Sequence, residues 1–335
     1  TFDLDPAQVA DAVGVGRRQA GSIMGRIRSA TSEAAITEFS LIDEVVAEVR
    51  APLEDSVVAL RGDRRYVRDV RRTRLPEPDR AVLRRHGVVL ITGGLGGIGL
   101  SVAEALYRER GARVALLARR GLPPRDTWDE VLGRLGNDHP TAVRIRGVRS
   151  LEEEGAEVIV VEGDVTDPES LNSAVARVRS EFGTLNGVVH AAGVIDDALL
   201  VTKSPMQMED VLAPKVYGTL VLETATASDH LDLFVVFSST STVTAPIGQV
   251  DYVAANSFLN AFAESRRARG DRHVRAVNWG VWDEVGMAAA AAAVDSSGDI
   301  EDVELRQAVH PFFGELRRAQ DGVVRLSIDW NERDS

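Results

Sequence analysis

The sequence predicts an α/β protein with a doubly wound parallel sheet, preceded by a small element that does not belong to the sheet. Two observations support this prediction. From residue 88 onward, short apolar runs alternate with helical patterns, which is typical of βαβ units and a parallel sheet. The first 75 residues lack this alternation, and their pattern instead predicts helices followed by a hairpin.

Six short apolar runs are the predicted strands of the sheet, and helical patterns fill most of the intervals between them. The predicted strands cover residues 88–92, 113–118, 157–161, 187–192, 233–239 and 274–279. The predicted helices cover residues 101–110, 168–182, 215–226 and 252–269. A chain that alternates in this way builds a sheet with helices on both faces.

The N-terminal element consists of two helical patterns and a hairpin. The helical patterns cover residues 6–13 and 40–49, and the predicted hairpin covers residues 56–70 with its turn at Gly62 and Asp63. Glycine and aspartate are typical of such a tight turn between two strands.

Three domain segments are therefore expected. Residues 1–75 would be a partial structural subdomain or linker, residues 76–295 the catalytic domain, and residues 296–335 a linker and C-terminal tail. The low-complexity stretch 287–302 is interpreted as a mobile segment or linker, and residues 323–330 form one more predicted strand.

Composition excludes several functional classes. The formal net charge of −12 argues against a nucleic-acid binder, because phosphate affinity needs clustered cations. The chain has no cysteine, and its six histidines show no metal-ligand spacing. No apolar run could cross a bilayer, and neither a signal segment nor an initiating methionine opens the sequence. We expect a cytoplasmic piece of a longer protein, without metal, membrane or nucleic-acid partners.

A glycine-rich turn closes the first predicted strand and opens a helix. Glycines at such a turn let a pyrophosphate approach the backbone and lie against the free N–H groups of the helix N-terminus, as in Rossmann-like folds. The predicted cofactor-binding residues of the turn are Thr92, Gly93, Gly94, Leu95, Gly97, Ile98 and Gly99.

The second and third predicted strands end in charged residues that bear on the cofactor. Arg119 and Arg120 stand where an acidic residue would hold a ribose 2′-hydroxyl, and they suit a 2′-phosphate, so the expected cofactor is NADPH. One of the two arginines could instead be a solvated loop residue. Asp164 and Val165 end the third strand, where Asp164 could meet the adenine or cap the next helix.

A serine and a tyrosine are the candidate catalytic pair. Ser239 ends the fifth predicted strand, and Tyr252 follows thirteen residues later at the start of a helix. Ligands bind at this edge of a doubly wound sheet, so catalysis is a better interpretation than simple packing. Asn256 lies on the same helical face as Tyr252, at a position where many short-chain dehydrogenases have lysine.

The ordered motifs from about residue 56 to residue 290 resemble the ketoreductase domain of a type I polyketide synthase. They are TGGLGGIG, LLARRG, GDVTD, HAAGVIDD, LAPKVYGT, FSSTS, YVAAN and VNWG. In that family lysine and asparagine exchange places relative to other short-chain reductases. The resemblance therefore implies that the missing amine is Lys215, in the motif APKVYG.

The resemblance also implies a role for each candidate residue. Tyr252 would donate a proton, Ser239 would hydrogen-bond the ketone oxygen, and Asn256 would support the proton relay. Lys215 would hold the ribose and lower the pKa of the phenol. The cofactor would also lie against Ala191, Ala192 and Gly193.

The function implied by the resemblance is NADPH-dependent reduction of a β-ketoacyl thioester on an acyl carrier protein, among neighbouring polyketide synthase domains. Stereochemistry would follow from the loop Ile195-Asp196-Asp197, which is similar to the LDD motif of B-type ketoreductases. The A-type tryptophan is replaced by Thr244, so a 3R product is expected. The residues expected to steer the substrate are Asp197, Thr244, Trp282 and Met287.

Some interpretations stay open at the level of sequence. The segment before residue 75 is too short for the whole structural subdomain of this family, and residues 310–330 resemble either the end of the reductase or the start of a dehydratase domain. A free-standing reductase for a small alcohol or ketone is the first alternative function. A catalytically silent scaffold domain is the second.

Overall fold

The fold comes from a computed structural model that describes residues 46–48, 50, 58–61, 64–71, 82–271, 273–280 and 327–332. The chain divides into two compact units, one made of residues 1–72 and 326–335 and the other of residues 73–325. The predicted domain boundaries at residues 75 and 295 stay predictions.

The strands are, in chain order, β1 (Val58–Arg61), β2 (Arg64–Arg71), β3 (Val88–Thr92), β4 (Arg113–Ala118), β5 (Val158–Glu162), β6 (Gly187–His190), β7 (Leu233–Ser239), β8 (Val274–Trp279) and β9 (Ser327–Glu332). The helices are α1 (Gly97–Arg110), α2 (Trp128–Arg134), α3 (Pro140–Glu153), α4 (Pro168–Phe182), α5 (Pro205–Ala225), α6 (Ser241–Thr244) and α7 (Val250–Ala268). Within the described residues, no helix is both long enough and apolar enough to cross a membrane.

The smaller unit is an antiparallel sheet in the order β1-β2-β9. Arg61 pairs with Arg64, so the structure confirms the predicted hairpin and its two-residue connection. The predicted tail strand is also present, shifted to Ser327–Glu332, and it pairs along β2. The predicted helix at residues 6–13 lies outside the described residues.

The larger unit contains a six-stranded sheet in the order β5-β4-β3-β6-β7-β8, and each neighbouring pair is parallel. The chain runs outward from β3 to β5 and then returns to the other side of β3 with β6. The order therefore reverses between β3 and β6, and ligands bind in the crevice at the carboxyl ends of strands at such a point. The predicted doubly wound α/β fold is confirmed.

The central strands of the sheet are buried on both faces, which explains why they appear in the sequence as continuous apolar runs. Along β3, Val89 and Ile91 belong to one hydrophobic core, whereas Val88 and Leu90 belong to the core on the opposite face. This alternation follows from the two-residue period of a strand.

Several helical features differ from the sequence-based expectation, including the short helix α6. Helices α2 and α3 lie between β4 and β5, where no helix was predicted. Helix α5 begins at Pro205, well before the predicted start at Lys215. Ser204 and Gln207 form a capping box at this helix start, and the helix continues through Pro214, a residue type that usually marks a helix boundary.

Candidate active site

The glycine turn after β3 is packed so closely that a Cβ at Gly94 or Gly99 would overlap neighbouring backbone atoms. Gly93 has a φ of +65°, a conformation that favours glycine. A Cβ at Gly94 would lie 2.7 Å from the carbonyl oxygen of Ile91 and 2.8 Å from Leu116 Cα. A Cβ at Gly99 would lie 2.6 Å from the carbonyl oxygen of Gly93. The absence of these Cβ atoms lets the start of α1 pack closely against the ends of β3 and β4.

The N-terminus of α1 suits a phosphate group. Among the described residues, no side chain caps this helix at Gly96, and its first turn contains no acidic residue. The first N–H groups of a helix lack intrahelical partners and carry a partial positive charge, so they attract anions. Two other predicted residues of the turn contribute to packing. Leu95 is buried in the core, and Ile98 packs against that core.

A buried hydrogen-bond chain links this turn to the next strand. Thr92 Oγ1 lies 2.7 Å from His190 Nδ1, and His190 Nε2 lies 2.9 Å from the carbonyl oxygen of Pro214. A carbonyl can only accept, so Nε2 carries the proton and Nδ1 accepts from Thr92 Oγ1. Thr92 Oγ1 in turn accepts from the backbone N–H of Ala192 at 3.2 Å. Burial, together with the charge of Lys215, lowers the pKa of His190 to about 3.

The predicted residues after β6 lie beside the glycine turn. The N–H of Ala191 donates to the carbonyl oxygen of Thr92 at 3.2 Å. A Cβ at Gly93 would lie 3.0 Å from the carbonyl carbon of Ala191, and Gly193 is half-buried. The ends of β3 and β6 therefore meet at the point where the strand order reverses.

The predicted nucleotide-selecting residues follow β4 and β5 at the same edge of the sheet. Arg119 and Arg120 come directly after β4, and both are exposed. Asp164 Oδ1 accepts from the N–H of Thr166 at 2.9 Å, and Val165 is buried in the core. The cap of α4 is Asp167, so the alternative role of Asp164 as that helix cap is wrong.

Lys215 is placed by α5 and buried below the site. Its Nζ donates to the carbonyl oxygen of Phe237 in β7 at 2.8 Å, and the residue is 3% exposed. Burial lowers the pKa of Lys215 to about 7. The ammonium lies 5.7 Å from the centroid of the Tyr252 ring, within the range of a cation–π contact.

Tyr252 lies in the first turn of α7, and its ring lies next to the Lys215 ammonium. Burial raises the pKa of its phenol, hydrogen bonding by Ser239 and then Asn256 lowers it, and the charge of Asp197 raises it again. The net direction is upward for the protein alone, and the expected lowering of this pKa by Lys215 stays a prediction. The physical reason for the upward direction is that burial penalises the phenolate more strongly than its neighbours stabilise it.

Ser239 and Asn256 complete the predicted catalytic set. Ser239 is the last residue of β7, and its Oγ accepts from the N–H of Ser241 at 3.1 Å, so its hydroxyl hydrogen can be donated elsewhere. Asn256 is fully buried, and its Nδ2 donates to the carbonyl oxygen of Tyr252 at 2.7 Å. Among the described residues, Asn256 Oδ1 has no hydrogen-bond partner. A buried acceptor of this kind suits a water or substrate group in a proton relay.

Two of the predicted substrate-steering residues, Asp197 and Thr244, belong to the described residues. Asp197 Oδ2 accepts from Gln249 Nε2 at 2.8 Å, directly before α7. Thr244 is exposed at the end of α6. Trp282 and Met287 lie outside the described residues.

Sequence reasoning missed two polar contacts near the site. One is the hydrogen-bond chain through His190, and the other is a buried ion pair between Lys203 and Asp251. Lys203 and Lys215 are the two lysines of the chain, a bias that could have drawn attention to both.

These features define a class of protein. A doubly wound sheet with a glycine turn after its first strand, and a tyrosine, serine and lysine converging at the carboxyl edge, is the architecture of the short-chain dehydrogenase/reductase superfamily. Within this class, the model of the KR domain family matches residues 87–284. The chain belongs to this family, the ketoreductase domains of polyketide synthases.

Polyketide synthases are similar in sequence. The chain is 38% identical over 223 residues to a 6-methylsalicylic acid synthase of Aspergillus terreus, which covers 66% of this chain and 12% of that protein. It is 34% identical over 278 residues to a phenolphthiocerol/phthiocerol polyketide synthase of Mycobacterium tuberculosis, covering 82% of this chain and 14% of that one. The chain thus spans a small fraction of these relatives.

Ketoreductase domains are similar in structure. A ketoreductase domain from the bacillaene assembly line superposes with a TM-score of 0.59 at 28% identity, over 79% of this chain and 60% of that one. An A1-type ketoreductase superposes with a TM-score of 0.58 at 30% identity, over 82% of this chain and 55% of that one.

Proposed function

We propose that this ketoreductase domain uses NADPH to reduce the β-keto group of an acyl chain held as a thioester on an acyl carrier protein. The single observation that carries the proposal is the convergence of Ser239, Lys215, Tyr252 and Asn256 at the carboxyl edge of the sheet. The synthases to which the chain is similar support a substrate supplied within a multidomain protein.

The residues at the glycine turn fit a nicotinamide dinucleotide. The uncapped N-terminus of α1 would hold the pyrophosphate, and the exposed Arg119 and Arg120 would face a 2′-phosphate. The bound cofactor supplies a hydride for the ketone carbon. Two adjacent guanidinium groups favour NADPH, because a 2′-phosphate gains charge-assisted hydrogen bonds that a 2′-hydroxyl does not.

The catalytic side chains have complementary tasks when the ketone becomes an alcohol. As the C–H bond forms, the C=O π bond breaks and negative charge grows on the oxygen, which then takes the phenolic proton of Tyr252. The Ser239 hydroxyl, whose Oγ already accepts from Ser241, donates to the same oxygen. The raised pKa of Tyr252 keeps the phenol protonated before reaction, so the acid is available at neutral pH.

Lys215 would contribute in its charged form. The pKa of about 7 means that the ammonium and the amine are both populated near neutrality in the protein alone. The ammonium, 5.7 Å from the Tyr252 ring centroid, would stabilise the phenolate left after proton transfer and would bind the ribose. Asn256, with its unpartnered Oδ1, would hold the water through which Tyr252 regains a proton.

We also propose that the product has the 3R configuration. The acids Asp196 and Asp197 occupy the loop after β6, and Asp197 is held by Gln249 beside the start of α7. Their position next to the Tyr252 segment supports a role in guiding the acyl chain to one face of the nicotinamide. Because an A1-type ketoreductase is among the similar structures, the product configuration has to be measured.

The decisive experiment follows NADPH oxidation by the purified chain with a panel of β-ketoacyl thioesters and resolves the products by chiral chromatography. We expect oxidation that depends on the thioester and yields mainly the 3R alcohol. Turnover of small free ketones without thioester turnover would support the free-standing reductase instead. A predominantly 3S product would overturn the B-type assignment alone, and no turnover of any ketone would favour a silent scaffold.

A further inference from the structure

Lys203 and Asp251 form a fully buried ion pair next to the catalytic tyrosine. The two side chains are 0% and 1% exposed, and Lys203 Nζ donates to Asp251 Oδ2. The other carboxylate oxygen, Asp251 Oδ1, accepts from the backbone N–H of Tyr252 at 2.9 Å. One carboxylate therefore connects the lysine ammonium to the backbone of the proposed proton donor.

The pair joins the segment that follows the acids Asp196 and Asp197 to the first turn of the helix that carries Tyr252. Lys203 lies between the 3₁₀ turn Leu200–Thr202 and the start of α5, in the segment that follows the acids Asp196 and Asp197. Asp251 lies in the first turn of α7. The same two segments also meet through the N–H of Ala198, which donates to the carbonyl oxygen of Gly248 at 3.0 Å. Of the two contacts, the ion pair between Lys203 and Asp251 is the one made by charged and buried side chains.

Stability alone is a poor explanation for this pair. Two buried charges lose their hydration, and well-packed apolar residues often stabilise a fold as much as a buried ion pair does. What the pair adds is a fixed geometry, because the ammonium and the N–H of Tyr252 are bound by opposite oxygens of one rigid carboxylate. An apolar contact would not fix these relative positions.

We propose that the Lys203–Asp251 pair is a positioning element, which holds the substrate-side loop at Asp196 and Asp197 in register with the phenol of Tyr252. The proposal rests on the reductase function proposed above. It assigns to the pair an effect on ketone turnover and on product configuration. NADPH affinity should be unaffected, because the glycine turn and the two nucleotide-side arginines follow β3 and β4, and neither ion-pair residue belongs to these segments.

Three variants separate the charge from the hydrogen bond. Lys203→Met removes the ammonium and keeps the acceptor for the N–H of Tyr252. Asp251→Asn also keeps an acceptor but leaves the ammonium buried without its counter-charge. The double variant Lys203→Met/Asp251→Asn removes both charges, so it avoids an unpaired buried charge, and we expect it to fold even where a single variant does not. Glu223→Gln is the matched control, because Glu223 pairs with Arg266 and also links α5 to α7, but farther along both helices.

The first measurement is hydrogen–deuterium exchange, which does not depend on any substrate. In the single and double variants we expect faster exchange both in residues 196–203 and in residues 250–256, while Glu223→Gln leaves both segments unchanged. Unchanged exchange in either segment of the double variant would overturn the proposal. This result is independent of whether the chain reduces β-ketoacyl thioesters.

The second measurement compares kinetics and product configuration. We expect the double variant to bind NADPH with a dissociation constant within about twofold of wild type, to lose about tenfold in kcat/KM for the thioester, and to give a less pure enantiomer. A double variant with wild-type kcat/KM and enantiomer ratio would show that the pair is structural only. An equal change in Glu223→Gln would attribute the effect to general helix packing. A wild-type chain inactive on all thioesters would reject the reductase function, leaving the exchange result to decide whether the pair couples the two segments.

Discussion

The two halves of the site are built by opposite means. On the cofactor side, at the ends of β3 and β4, the glycine turn is shaped by missing side chains, as the contacts of Gly94 and Gly99 demonstrate. On the catalytic side, between β7, α5 and α7, the site consists of buried polar side chains such as Lys215 and Asn256, each held by a backbone carbonyl. The first half depends on space and the second on chemical identity, so conservative substitutions should affect them differently.

The largest effect should come from the smallest chemical change on the catalytic side. Tyr252→Phe removes one hydroxyl and keeps the ring, so NADPH should still bind while turnover falls by about a hundred- to ten-thousandfold. The measurement is kcat with a β-ketoacyl thioester, together with a binding titration for NADPH. Tyr217→Phe is the control, because Tyr217 is an exposed tyrosine on α5. A Tyr252→Phe variant with wild-type kcat would remove Tyr252 from the mechanism.

On the cofactor side, adding one methyl group at a tightly packed glycine should lower stability and weaken NADPH binding, although it introduces no new polar or charged group. Gly99→Ala would place a Cβ 2.6 Å from the carbonyl oxygen of Gly93, which is backbone and cannot rotate away. We expect a loss of about 1–3 kcal/mol in the free energy of unfolding, together with weaker NADPH binding. Gly133→Ala in α2 is the matched control, because its Cβ would meet nothing within 4 Å and alanine favours a helix. Urea denaturation of both variants measures the two free energies of unfolding. Equal values for Gly99→Ala and Gly133→Ala would contradict the prediction.

This difference also explains what the sequence could predict. Strands β3, β4 and β7 match their predicted bounds, because strands buried on both faces form nearly continuous apolar runs. The edge strand β8 also matches its predicted bounds, although only Val274 is buried in it. The glycine turn was visible because its shape requires a particular spacing of glycines. The start of α5 was not, because Pro214 lies inside the helix. The role of Lys215 came from the resemblance to a family, since contacts between separate segments leave no local pattern.

The proposed cofactor preference concerns the two exposed arginines of the cofactor side. At these exposed positions the charge of the side chain should affect cofactor binding more than its size does. Arg119→Ala should lower the ratio of kcat/KM for NADPH to that for NADH by about ten- to a hundredfold, the range expected for a lost charge-assisted hydrogen bond. Arg120→Ala should lower it less, and Arg119→Lys should retain part of the preference because it keeps the charge. If neither alanine variant changes the ratio, both arginines are solvated surface residues.

The smallest effect concerns His190, which joins the two halves through Thr92 and the carbonyl oxygen of Pro214. In the folded chain the pKa of His190 is about 3, whereas the ordinary value is 6.5, so the unfolded chain binds a proton that the folded chain does not between these pH values. The contribution of His190 to the free energy of unfolding is therefore fully present well above pH 6.5, and it is lost as the pH drops through this window. For one such group the expected loss between pH 7 and pH 6 is about 0.7 kcal/mol.

Urea denaturation at several pH values should show a shallower pH dependence of stability for His190→Gln than for wild type. The control variant His230→Gln, which replaces an exposed histidine, should follow the wild-type curve more closely. Parallel curves for wild type and His190→Gln would mean that folding does not lower the pKa of His190, which would contradict its burial as a neutral imidazole between the two halves.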